Sequence, residues 1–499
     1  MTDPPTPGST GGTVRRRRWL APLGMTLLLG AVYGATLLPG VGHLADTAEL
    51  QFSGALLCVT HPTGYPTYLL LSHAFSTLVP FGSLAFRANL LSAVFSVLAG
   101  LGLRRLLLRL GVGEGVAVAT ALAFGFTPTF WRHSVTAEVY SLHALFLVLV
   151  VDGFARWRQT RRRRDLILAC AVYAVSFGNH LTVVTLLPAL AVFVLATSPR
   201  VLLDWRSVLP VGVLVALAAL QYLYPVWRSL DPTTPYLAVE VTSPGALWDY
   251  ATGASFRGAM FAFTPAQLLH ERIPFFARLW WEDCGPLLLL AVLGVARFRD
   301  RTMALLLGLA FLGNLLFALT YDIGEIHPFF IPNYLVTAVV AGRGLDRVVS
   351  RASARRGWLA LVFVLPAGLC AFHWARVEEA TRPAKAEPMR ALIEEVREGA
   401  LVIARYEEYL QLLYFRLAEG RGGPAVFIGH DVPVEEVAAY VERDRPIYLP
   451  QLRRWVPPGL PVYSTKLSLR PRYRAAGLDV EMFREGAFRI GRRTAPESR

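Results

Sequence analysis

The stretch "ADTAELQFSGALLCVTHPTGYPTYLLL", Ala45 to Leu71, follows the first apolar segment of the chain, and its reading decides the rest. It holds two carboxylates, Asp46 and Glu49, then a histidine, His61, among apolar neighbours, and a turn in which Pro62, Gly64 and Pro66 fix and bend the backbone. Asp46 and Glu49 are three residues apart, so a helical turn puts both on one face, whereas an extended strand points them apart. Such a corner suits the wall of a shaped cavity better than a bare linker.

Composition sets the solvent around that corner. With 54% hydrophobic residues and several apolar stretches near the length that crosses ~30 Å of hydrocarbon, the chain reads as a polytopic α-helical membrane protein. The net charge of +14 does not point to nucleic acid, because the arginines cluster at the ends of apolar segments, where the positive-inside rule puts them. Cys58, Cys170, Cys284 and Cys370 are scattered without metal-ligand spacing and read as packing residues. No phosphate-cradling glycine motif is present, so ATP is not expected.

Apolar segments fall near 19–39, 87–108, 112–130, 138–154, 165–180, 181–198, 208–227, 284–298, 302–320, 329–342 and 357–374, about 11 transmembrane helices (10–12). Alternate connections, beginning with "RRRR" at 15–18, carry 23 arginines and are read as cytoplasmic. The others carry only Arg87, Arg132, Arg228, Arg257, Arg272 and Arg278, and so face outward. The segment 66–86 is apolar but broken by Pro80 and Gly82. Were it to span, every later arginine cluster would change sides, so it is expected to lie along the outer interface. An odd number of spans puts the tail outside. The expected organisation is a disordered cytoplasmic N-terminus over 1–18, a transmembrane domain over 19–374 with outer loops 40–87 and 228–283, and a small extracytoplasmic α/β domain over 375–499. In that tail "MRALIEEVREG" is helix-like, and "ALVIA" and "AVFIG" are strand-like.

Ionisable groups near a bilayer cost about 2.5–3.5 kcal/mol each at its centre, so a cluster of them is a functional hypothesis. In this layout they gather on the outer face. Besides Asp46, Glu49, His61 and Tyr65, they are Arg132, His133, Glu138 and Tyr140 in "WRHSVTAEVY", Asn179 and His180 in "GNHLT", and Asp322, Glu325, His327 and Asn333 in "YDIGEIHPFFIPNY". Each also has an ordinary reading. The acids fit a solvated loop, "WRH" with Glu138 an interfacial ion pair, and Asn179 with His180 a tight turn.

The opening stretch, extended through "LSHAFSTLVPFGSLAFRANLLSAVFSVLAG", resembles the start of a family of bacterial multipass proteins. Its animal member is a transmembrane protein O-mannosyltransferase, and the family was long called a domain of unknown function. "FTPTFWRHSVTAEVYSLHALF", "FGNHLT" and "YDIGEIHPFFIPNYL" agree in order, so the likeness runs over about 40–335. The usual "HPPGYP" is "HPTGYP" here, with Thr63 replacing a proline. The resemblance implies a GT-C glycosyltransferase of the bacterial cytoplasmic (inner) membrane. A polyprenyl-phosphate sugar, with mannose expected, would be donor to an extracytoplasmic protein Ser/Thr, and an acceptor in lipid or cell-wall glycan is the alternative. It also implies Asp46 as base, with Glu49 in reserve. For the leaving phosphate it implies Arg132 first among Arg87, Arg132, His133 and His180. His61 and Tyr65 would position substrate, and Glu138, Tyr140, Asn179, Asp322, Glu325 and His327 would line the cavity. A divalent metal is possible, since some GT-C enzymes use one. A secondary transporter would keep its polar groups near mid-membrane and show repeats, and a scaffold would need no acid pair.

Overall fold

The computed structural model describes residues 10–492, apart from 297, 299, 352–356, 358–359, 397–399, 422–425, 429–431, 444, 450–453, 457–458 and 485–486. Helices dominate up to Ala380. Helix α1 spans Thr10–Ala35, so it takes in part of the segment expected to be disordered. Two short helices, α2 (Thr47–Ser53) and α3 (Pro66–Leu78), carry the outer corner. They lead into α4 (Leu84–Arg109), α5 (Glu114–Gly125), α6 (Pro128–Ser134), α7 (Tyr140–Thr160) and α8 (Arg163–Ser176).

Local chemistry sets these boundaries. Ser83 caps α4 by accepting from the Phe86 amide, and Asp300 caps the helix Arg301–Thr320 through the amides of Thr302 and Met303. Proline at the first positions of α3 and α6 presets the helical φ where no amide partner is lost. Pro128 therefore divides the expected span 112–130 into α5 and α6. Among the described residues, four helices are long and apolar enough to cross a membrane: Leu84–Arg109, Tyr140–Thr160, Trp205–Leu230 and Arg301–Thr320. Shorter apolar helices lie at Trp19–Ala35, Glu114–Gly125, Leu181–Thr197 and Pro286–Val295. Helix α3 has 13 residues, about 20 Å of helix, which is too short to cross. It leaves Leu70, Leu71 and Leu78 exposed, as expected for a helix on an interface.

At the arginine-rich ends the cations meet acids on neighbouring elements. Arg105 and Arg109 of α4 bind Asp152 of α7, Arg156 binds Asp165, and Arg158 binds Asp300. These pairs tie α4, α7, α8 and the helix Arg301–Thr320 at one end of the bundle.

Beyond Ala380 the architecture changes. Strands β1 (Leu401–Ile403), β2 (Val426–Ile428), β3 (Ile447–Leu449), β4 (Arg454–Val456), β5 (Val462–Ser464), β6 (Asp479–Arg484) and β7 (Ala487–Gly491) form two sheets. One has the order β2-β1-β5-β7-β6, with β1 parallel to β2 and β5 and with β7 antiparallel to β5 and β6; the other pairs β3 with β4. Strand β1, interior to the sheet, is buried throughout, as a strand covered on both faces must be. The helix Tyr406–Glu419 packs this unit on the outer corner. Leu410 and Tyr414 share one apolar core with Ala48, Phe52 and Ala85. Gln411 donates to the Gly42 carbonyl at 3.0 Å, and the Ala85 amide donates to the Tyr414 hydroxyl at 3.0 Å.

Candidate active site

The corner is built from both sides. In "HPTGYP" the Gly64 amide closes a turn on the His61 carbonyl at 3.0 Å, and Thr60 Oγ1 donates to the Gly64 carbonyl at 3.1 Å. Gly64 has φ +90°, and a Cβ there would meet the Tyr250 ring at 2.3 Å, so only glycine fits. Tyr250 in turn donates to the Thr60 carbonyl at 2.8 Å, Tyr224 to Cys58 at 2.7 Å and Arg228 to Leu57 at 2.7 Å. The helix Leu223–Leu230 and Tyr250 thus clamp residues 57–60.

Asp46 is the N-cap residue of α2 and Glu49 lies in its first turn, so the helical face anticipated for the acids exists. Their surroundings differ. Glu49 is fully buried; its Oε2 is 2.5 Å from His61 Nδ1, and its Oε1 accepts from the His61 amide at 3.2 Å. Asp46 is about one third exposed, with Oδ2 3.4 Å from His61 Nε2 and Oδ1 accepting from the Tyr406 hydroxyl at 3.2 Å. Tyr65 Oη lies 2.8 Å from His61 Nε2. Burial alone would depress the His61 imidazole, but the charges of Asp46 and Glu49 outweigh it and push its pKa up to about 9. That shift favours the protonated ring, which would donate from Nδ1 to Glu49 and from Nε2 toward Tyr65 and Asp46.

Glu138 approaches from the start of α7. Thr47 Oγ1 donates to its carboxylate at 2.8 Å. Glu138 is buried, and the charge of Asp46 acts on it. Glu325 and Arg132 act on it too, which places both within electrostatic reach. Arg132 Nη2 donates to Glu325 Oε2 at 3.1 Å and lies 3.3 Å from His133 Nε2. A wall of rings joins these groups: Tyr65 stacks on His180 at 6.1 Å, Tyr140 meets His180 at 5.3 Å, and His133 meets Tyr140 at 5.1 Å. Burial, reinforced by Arg132, lowers the pKa of His133, so it supplies no fixed positive charge.

Other residues named from the sequence sit apart or at the margin. Arg87 bonds the carbonyls of Ser76 and Phe81 and braces the turn between α3 and α4. Asn179 is buried and donates to the Val139 carbonyl at 3.1 Å. Asp322 is exposed on the loop after the helix Arg301–Thr320, where Arg272 feels its charge. Asn333 bonds Asn314 and the Phe311 carbonyl. His327 packs on Phe275 at 5.7 Å and feels Arg132 and Glu325. Sequence reasoning missed Tyr406, Thr47 and Asn89. Asn89, fully buried, donates to the Leu38 carbonyl at 2.7 Å and accepts from the Ala137 amide at 2.8 Å and Gln51 at 3.0 Å. It thereby ties the approach to α2 to the loop carrying Glu138. An asparagine two residues after Arg87 in an apolar run was the one available signal.

Asp46, Glu49 and His61 offer three ligand atoms within 4.8 Å of one another. An imidazole with two carboxylates suits Zn²⁺ or Mn²⁺, and a cation there would replace the proton between His61 and Glu49.

Residues 46–202 match the family model described as the protein O-mannosyl-transferase TMEM260 N-terminal domain. The chain is 34% identical over 156 residues to protein O-mannosyl-transferase TMEM260 of Mus musculus, covering 31% of this chain and 22% of that protein. To tmem260 of Dictyostelium discoideum it is 25% identical over 122 residues, covering 24% and 15%. These matches span about a fifth or less of the relatives' own length. In structure, the chain superimposes on ArnT from Cupriavidus metallidurans bound to undecaprenyl phosphate with a TM-score of 0.61, 15% identity, and coverage of 97% of this chain and 98% of that one. The apo form gives a TM-score of 0.63 at 15% identity, over 95% and 98%. Residues 46–202 are thus related to the N-terminal domain of the TMEM260 protein O-mannosyl-transferases, on a chain whose overall fold is the GT-C fold of ArnT.

Proposed function

We propose that this chain is a membrane glycosyltransferase that moves mannose from a polyprenyl-phosphate donor to a Ser or Thr hydroxyl of an extracytoplasmic protein, with inversion at the anomeric carbon. The observation that carries the reading is the division of labour in α2: Glu49 is buried and engaged with His61, while Asp46 keeps exposed carboxylate surface beside the same imidazolium. Asp46 is then the base. The acceptor oxygen attacks the anomeric carbon as its proton passes to Asp46, and the bond to the phosphate oxygen breaks with its electron pair on the phosphate. Arg132 is the fixed cation suited to the departing phosphate, and release from Glu325 would free its guanidinium for that contact. Tyr65 supplies a hydroxyl donor toward the sugar, and Glu138 a carboxyl for the sugar hydroxyls.

The donor class draws on the undecaprenyl phosphate bound by ArnT, and the acceptor class on the names of the TMEM260 relatives. The expected setting is the bacterial inner membrane, with the N-terminus cytoplasmic and the unit beyond residue 375 outside. The test is to incubate membranes containing the chain with radiolabelled polyprenyl-phosphate mannose and fractionate the product. Label in protein, removed by base-catalysed elimination, is the expected result; label only in lipid or polysaccharide overturns the acceptor assignment.

A further inference from the structure

In a sheet with parallel strands, ligands sit outside the carboxyl ends of the strands, where connections leave in opposite directions. Strand β1 lies between β2 and β5, both parallel to it. The chain leaves β1 through Arg405 into the helix Tyr406–Glu419 and returns to β2 on one side, while β5 leads through Thr465–Ser468 toward β6 and β7 on the other. A cavity of about 710 Å³ opens at that point, within the roughly 300–1,000 Å³ typical of ligand sites. The sheet side contributes Arg405, Glu407, Lys466, Leu467 and Ser468, and the outer loops contribute His43, Ala45 and Glu325.

This cavity is lined by neighbours of the proposed base. Ala45 precedes Asp46 in the chain, Tyr406 next to Arg405 donates to Asp46, and Glu325 accepts from Arg132. Its walls alternate charges of both signs with hydroxyls and short apolar patches, and apart from the His43 imidazole none of its described lining residues is aromatic. A sugar polymer calls for flat aromatic platforms; a peptide, with backbone donors and acceptors and side chains of either charge, fits such a lining. We propose, resting on the transferase reading above, that this strand-end crevice holds the acceptor as an extended polypeptide segment and delivers its hydroxyl to Asp46. The lining residues from the sheet lie outside the stretch related to TMEM260, so acceptor choice would belong to this chain's own tail.

Leu467 and Ser468 are exposed, so Leu467→Trp and Ser468→Trp fill the crevice without entering a core. Binding of a fluorescent, extended Ser/Thr-rich peptide to the full chain in detergent is followed by anisotropy, with the thermal midpoint as the folding control. The expected result is that wild type binds and each folded variant binds at least about tenfold more weakly. Equal binding by wild type and both variants, no binding by wild type, or binding of a mannan oligosaccharide in place of the peptide overturns the proposal. Because binding is read without turnover, the two readings fail separately. Crevice-dependent peptide binding with no mannosyl transfer sinks the transferase reading, while transfer by the filled variants at the wild-type rate sinks the crevice alone.

Discussion

Asp46 and Glu49 share a helical turn, a charge and a neighbour, yet burial divides them. Glu49 spends both oxygens on His61, one on the ring and one on the amide, and so orients the imidazole. Asp46 retains solvent-facing surface for a proton in transit. His61 joins them with a pKa raised from 6.5 to about 9. A group whose pKa is raised on folding stabilises fully below its unfolded value and loses that contribution as pH climbs through the folded one. The thermal midpoint of wild type in detergent should therefore fall between pH 6.5 and about 9, and His61→Gln should flatten that fall; an unchanged slope would remove the imidazolium from the account. At this scale the acids and His61 were legible because one contiguous stretch carries them. Tyr406 was not, since it lies 360 residues from Asp46 in sequence, and only folding brings it there. Arg87 shows the complementary error: charge counting assigns a side of the membrane and says nothing about which pocket a side chain enters.

At the scale of elements, polar staples between helix ends hold the site. Asn89 on α4 joins the Leu38 carbonyl, Gln51 of α2 and the Ala137 amide. Removing it orphans several buried groups, each costing about 1–3 kcal/mol. Asn89→Leu should lower unfolding stability by about 2–4 kcal/mol and weaken transfer, read by denaturant unfolding in detergent; a change below about 0.5 kcal/mol would show the staple to be dispensable. Apolar runs revealed most helices because hydrophobic length is written locally. Their interruptions were harder to read. Pro128 splits one expected span, and Tyr224 and Tyr250 pin residues 57–60 by contacts that no local pattern encodes. The short parallel strands β1, β2 and β5 appear in sequence only as brief apolar runs, and their order follows from tertiary packing.

Across the whole molecule, the arginine pattern assigns two faces, with the polar site expected on the outer one. In a cysteine-free background, an impermeant thiol reagent added from outside should label Thr63→Cys and spare Thr160→Cys; equal labelling of both would invert or abolish the assigned topology. The apolar core shared between α2 and the helix Tyr406–Glu419 makes the sheet unit part of the site's wall. Two contacts converge on the Asp46 carboxylate, His61 from the "HPTGYP" turn and Tyr406 from the helix that follows β1. The most direct test is the rate of mannosyl transfer from polyprenyl-phosphate mannose by wild type and Asp46→Asn, with donor binding measured in parallel. The account predicts a loss on the order of 10²–10⁴-fold with donor affinity nearly unchanged, and transfer by Asp46→Asn at the wild-type rate would contradict it.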